Sequence, residues 1–89
     1  MEVIFSPQAL EDIEYWKKSG NKTIMNRITA LLADIVLHPF SGIGKPEALK
    51  YDLTGYWSRR INSEHRIVYS VHNDMIEVHI LSMRFHYHK

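Results

Sequence analysis

Cysteine is absent from the chain, which excludes disulfide staples, thiolate nucleophiles and thiolate metal sites. Long apolar runs are missing too, and none of the stretches could cross a bilayer. The opening MEVIFSPQALED has neither the basic region nor the long apolar segment of a signal peptide. Together these absences make the cytoplasm the expected compartment and a membrane partner unexpected. An excess of one charge sign is also lacking: 11 Lys and Arg stand against 10 Asp and Glu, for a net charge of +1. The total charge therefore neither requires nor excludes a nucleic-acid partner. Gly42-Ile43-Gly44-Lys45-Pro46 is not a phosphate loop, since it lacks the Walker spacing and no helix follows it. No Ser-His-Asp order suggests a triad hydrolase, and no paired carboxylates suggest a glycosidase.

What is present fits one small domain spanning residues 1–89, with 45% hydrophobic and 24% charged residues. EVIFS reads as a short strand with Val3 and Phe5 on one face. Ser6-Pro7 is a helix start, serine as N-cap and proline at the first helical position. Leu10, Ile13 and Trp16 give that helix an apolar face, and Ser19-Gly20-Asn21 ends it. Ile24, Ile28, Leu31, Leu32 and Ile35 mark a second helix with one buried stripe. It must stop near His38-Pro39, because the residue before a proline avoids the helical region. The two helices are expected to form an αα-hairpin. HPFSGIGKPEAL, rich in proline and glycine, reads as a loop of the length that often carries function. From there the period changes to two. LKYDL, YWSRRIN, HRIVYSVH and MIEVHILSMR read as four strands, with turns at Asn62-Ser63-Glu64 and Asn73-Asp74. The expected fold class is α+β: an N-terminal strand and helical hairpin packed on a twisted, mainly antiparallel sheet.

The positive charges are unevenly placed. Lys45, Lys50, Arg59, Arg60, Arg66 and Arg84 all lie in the second half, as a nucleic-acid-binding face would require, or as solvated strand-edge charges. Trp57, Arg59 and Ile61 share one strand face, with Ser58 and Arg60 on the other. One register brings Arg59 or Arg60 beside Arg66. Two guanidinium groups so placed either hold an anion or splay into water. Glu47 sits in the loop between Lys45 and Lys50, whose charges favour the ionised, proton-accepting form of a carboxylate. His86 follows the last strand and could exchange a proton near neutral pH. His86 and His88 alternate as two metal ligands would, but His65, His72 and His79 are scattered and supply no further ligand spacing. A frayed terminus is the plainer reading of RFHYHK. Tyr51, Tyr56 and Trp57 could stack on bases, although Trp57 shares its face with Ile61 and reads better as core.

Taken together, G-K-P-E-x-L-K, G-x-W-S-R-R-I, E-H-R-x-V-Y and the ending R-F-H-Y resemble the YoeB/Txe toxins of bacterial toxin–antitoxin systems, within the RelE-like group. The likeness runs over residues 1–87 and includes the opening IFSPQALEDIEYW. The resemblance implies a microbial-RNase-like α+β fold and a ribosome-dependent endoribonuclease, an mRNA interferase that cuts mRNA in the ribosomal A site without a metal or other cofactor. By the same resemblance Glu47 is the general base, Arg66 the phosphate clamp and His86 the general acid, with Tyr87 orienting substrate or supporting His86. Lys45, Lys50, Arg59 and Arg60 are the implied accessory contacts to phosphate or ribosomal RNA. The implied partners are a YefM/Axe-like antitoxin, the 70S ribosome with its mRNA, a second copy in a homodimer, and operator DNA only through the antitoxin complex. Two departures stand out: Phe85 replaces a tyrosine common at that position, and His88-Lys89 extend past the tyrosine at which close members stop. Two other readings are an inactive binding or autorepression subunit, and a gyrase-directed toxin of the ParE branch. The loop glutamate and terminal His-Tyr speak against the last, since poisoning gyrase needs no acid–base pair.

Overall fold

A computed structural model describes residues 2–72 and 77–84, with the backbone alone over 77–82. Strand β1 (Glu2–Phe5) leads into α1 (Pro7–Ser19) and α2 (Lys22–Leu37). A two-residue strand β2 (Glu47–Ala48), a 3-10 turn (Tyr51–Leu53), β3 (Trp57–Arg60), β4 (Arg66–His72) and β5 (Glu77–Ser82) complete it. The sheet order is β1-β5-β4-β3-β2. All neighbours are antiparallel except β1, which runs parallel to β5 with Val3 opposite Val78.

The helix boundaries follow from the local sequence. Ser6 caps α1 through its hydroxyl, which accepts from the Ala9 N–H at 3.0 Å, and Pro7 takes the first turn. Gly20 ends α1 in the left-handed region at φ 71°. Asn21 then caps α2 by accepting from the Ile24 N–H at 3.1 Å. In α2 the predicted stripe is buried at Ile24, Ile28, Leu31 and Ile35. These side chains meet Ile61, Ile67 and Tyr69 from the sheet, with Val3, Phe5, Leu32 and Trp57 at the margin. The α+β expectation and the core reading of Trp57 therefore hold, its ring lying 5.1 Å from that of Phe40. Among the described residues no helix is long and apolar enough to cross a membrane.

Three local expectations are corrected. Leu10 is 53% exposed, and α1 instead buries Ala9, Asp12 and Trp16. Asp12 is tolerated inside because its carboxylate accepts from the Met83 N–H at 2.9 Å and from Gln8 Nε2 at 2.9 Å. The strand expected at LKYDL is a turn. Lys50 accepts from Leu53, Tyr51 adopts φ 59°, and Leu49 pairs back with Tyr56 to close a hairpin around it. The pairing strand lies earlier, at Glu47–Ala48, inside the segment expected to be loop. The turn at Asn62 is present, its side-chain oxygen accepting from the Glu64 and His65 N–H groups. The turn expected at Asn73-Asp74 lies outside the described residues.

Candidate active site

Strand alternation sorts the cations onto two faces. On β3, Trp57 and Arg59 face the helices, while Ser58 and Arg60 face away. On β4, Ile67 and Tyr69 face the helices, and Arg66, Val68 and Ser70 face away. The register places Glu47 opposite Ser58, Ser58 opposite Val68, and Arg60 directly opposite Arg66. Glu47, Arg60 and Arg66 thus lie on the sheet face turned away from the helices, on the three strands β2, β3 and β4 at one edge of the sheet.

Two arginines directly opposite repel unless negative charge is supplied. Glu47 supplies part of it: its Oε1 lies 3.8 Å from Arg66 Nη1. The Glu47 side chain is 65% exposed and that of Arg66 only 19%. The carboxylate therefore projects to solvent while the guanidinium is held against the sheet. A weak, long ion pair of this kind leaves both groups able to turn to a ligand. Beneath them Ser58 is buried, and its Oγ has no hydrogen-bond partner among the described residues. Lys45, Lys50 and Arg60 are exposed around this face. Arg27 Nη2, on α2, donates to the Arg60 carbonyl at 3.4 Å. The arrangement combines an accessible carboxylate, a partly sheltered guanidinium that can donate two parallel hydrogen bonds, and exposed cations at Lys45, Lys50 and Arg60. That is the equipment to bind a phosphodiester and accept a proton beside it.

The expectation for Arg59 is corrected. It was expected to be an accessory contact to phosphate or RNA, yet it is fully buried beside α2. Nε donates to Tyr69 Oη at 3.1 Å. Nη1 donates to Asp34 Oδ2 and, at 3.2 Å, to the Ile43 carbonyl. Nη2 donates to the His38 carbonyl and, at 2.8 Å, to that of Ser41. All five of its N–H groups are used, so none remains for a ligand. Asp34 and Tyr69 were not singled out from the sequence. A signal existed: Arg59 shares its strand face with Trp57 and Ile61, and a cation on a core face needs an internal anion. The hydrogen bond from Arg59 holds the Asp34 carboxyl below the usual carboxylate range. Burial pushes the Tyr69 phenol up, so it stays protonated at neutral pH and can donate.

His86 and Tyr87 lie outside the described residues, as do Phe85 and His88-Lys89. The backbone leading to them is anchored at Met83. Its N–H goes to Asp12, and its carbonyl accepts from Trp16 Nε1 at 2.9 Å. Trp16 is itself wedged edge-on against the buried His65 ring, 4.8 Å away. Arg84, next along, lies over the Tyr15 ring, its guanidinium carbon 3.4 Å from the centroid.

Comparison with known proteins gives a consistent picture. Residues 5–87 match the family described as YoeB-like toxin of bacterial type II toxin-antitoxin system. A toxin YoeB of Mycobacterium bovis is 52% identical over 85 residues, covering 96% of each chain. The solved YoeB/ParE toxin from Agrobacterium tumefaciens superposes with a TM-score of 0.92 at 38% identity, over 98% of this chain and 100% of that one. The toxin in a heterotetrameric YoeB-YefM complex from Staphylococcus aureus gives 0.85 at 45% identity, over 98% of both chains.

Proposed function

This chain belongs to the YoeB-like toxins of bacterial type II toxin–antitoxin systems, and from that premise we propose that it is an endoribonuclease that cuts mRNA in the ribosomal A site. The observation that carries the proposal is the meeting of Glu47 and Arg66, 3.8 Å apart on an open cationic face. Glu47 accepts the proton of the ribose 2′-OH as its oxygen attacks the adjacent phosphorus. Arg66 binds the phosphate oxygens, whose negative charge rises as the fifth bond forms. The bond from phosphorus to the 5′-oxygen breaks, and His86 donates a proton to that leaving oxygen. A 2′,3′-cyclic phosphate and a free 5′-hydroxyl remain. Tyr87 orients the substrate or His86. Lys45, Lys50 and Arg60 contribute long-range attraction to the RNA backbone, a term that weakens with salt.

A YefM-like antitoxin is the proposed neutralising partner, with which the toxin binds operator DNA. The heterotetramer formed by the Staphylococcus aureus relative supports this reading and a paired arrangement of toxins. The cytoplasm, where ribosomes are met, is the proposed compartment.

The decisive test uses ribosomes stalled with one codon in the A site of a defined mRNA. The wild-type toxin should cleave the all-ribose message and leave a cyclic phosphate. A single 2′-deoxy residue at the cut position should abolish cleavage. Equal cutting of both messages would overturn the mechanism.

A further inference from the structure

We propose that Arg59, with Asp34 and Tyr69, is the positioning group of the active-site loop, fixing residues 38–46 so that the Glu47 carboxylate is delivered beside the Arg66 guanidinium. This rests on the reading of Glu47 as the base. The loop is not held by apolar burial, since Phe40 is 51% exposed and Ile43 41% exposed. It is held by its own backbone polar groups, which converge on one buried cluster. Arg59 takes the carbonyls of His38, Ser41 and Ile43. The Tyr69 hydroxyl, which accepts from Arg59, donates to the Pro39 carbonyl at 2.6 Å. Asp34 Oδ2 pairs with Arg59 and also accepts from the Ile43 N–H at 3.1 Å. Four loop carbonyls and one loop N–H thus end on three side chains.

The cluster reaches Glu47 by a short path. The loop exits through Gly44, whose carbonyl accepts from the Arg60 N–H at 2.7 Å. Lys45 then turns the chain at φ 52°, and Glu47 and Ala48 pair with Ser58 and Trp57, the two residues that precede Arg59 on β3. A two-residue strand supplies too little pairing to fix its own approach, so the direction of the Glu47 side chain depends on what anchors the loop behind it. Lysine could not substitute for Arg59, because a compact ammonium has three donors against the five acceptors present.

The test compares wild type with Tyr69→Phe and Asp34→Asn. Tyr69→Phe alters a buried position, so the partly exposed Asp34 gives a second, independent perturbation. Cleavage of ribosome-bound mRNA and backbone amide exchange are both followed. The expected result is at least a tenfold fall in the rate constant of cleavage, with ribosome affinity within twofold of wild type. Exchange should quicken at residues 43–47 and stay unchanged at Ile67 and Val68 in β4. A cleavage rate within twofold of wild type, or exchange rising together in the loop and β4, would overturn the proposal. Should the wild type itself not cleave, the nuclease reading fails on its own. Exchange then decides: selective quickening at 43–47 supports the positioning role, and unchanged exchange there overturns it.

Discussion

At the scale of single residues, two neighbours in one short run have opposite fates. Arg59 and Arg60 are adjacent, yet the first is buried and saturated while the second is exposed opposite Arg66. Strand alternation alone separates them. Arg66→Ala is expected to lower cleavage by roughly 10²–10³-fold, the usual loss when one donor to a developing negative charge is removed. Circular dichroism should show the fold retained, because among the described residues the Arg66 side chain makes one long ion pair, with Glu47. His86→Gln should likewise suppress cleavage, and the wild-type rate should fall as pH rises and the general acid loses its proton. A flat profile from about pH 5 to 9, with chemistry rate-limiting, would remove His86 as the acid. The sequence made Glu47 and Arg66 legible through the resemblance and the change of period. The apolar neighbours Trp57 and Ile61 on the strand face of Arg59 hint that it turns inward, but they do not say which anion it meets. Asp34 lies 25 positions away, beyond the reach of any local pattern.

At the scale of elements, capping chemistry and periodicity were strong enough to place both helices. The strand at Glu47–Ala48 was missed because two residues carry no period, and LKYDL was misread because its alternation is that of a turn between two paired strands. Tertiary pairing, not propensity, decides both. Loss of the Ser6 cap in Ser6→Ala should cost about 1 kcal/mol in urea unfolding. Gly44→Ala should cost more. Gly44 adopts φ 80°, and an added Cβ would stand 2.7 Å from Leu31 Cδ2 and 3.2 Å from Arg59 Cβ. Strain and overpacking together predict a loss of about 2–4 kcal/mol. The loss should appear as a lower urea midpoint with an unchanged slope.

At the scale of the whole molecule, stability should depend on acid in a way traceable to one pair. Asp34 has a folded-state pKa depressed by Arg59. Its contribution is therefore fully present above the ordinary aspartate value, near pH 4, and is lost as pH falls through the lower folded value. Asp34→Asn should flatten the acid limb of a thermal unfolding series and lower the melting temperature at pH 7. An unchanged acid limb would show that the pair does not set it. Ligands that bind only the folded state raise apparent stability by mass action, so an antitoxin should raise the melting temperature with concentration.

The pairing of β1 with β5 has a consequence for when the protein exists as a folded object. The first strand made must wait for the last, and Asp12 must wait for Met83, 71 positions later. Domains usually begin to fold from their N-terminal side during synthesis, but contacts this distant delay closure. A nascent copy still threaded through the ribosome that makes it cannot complete its sheet.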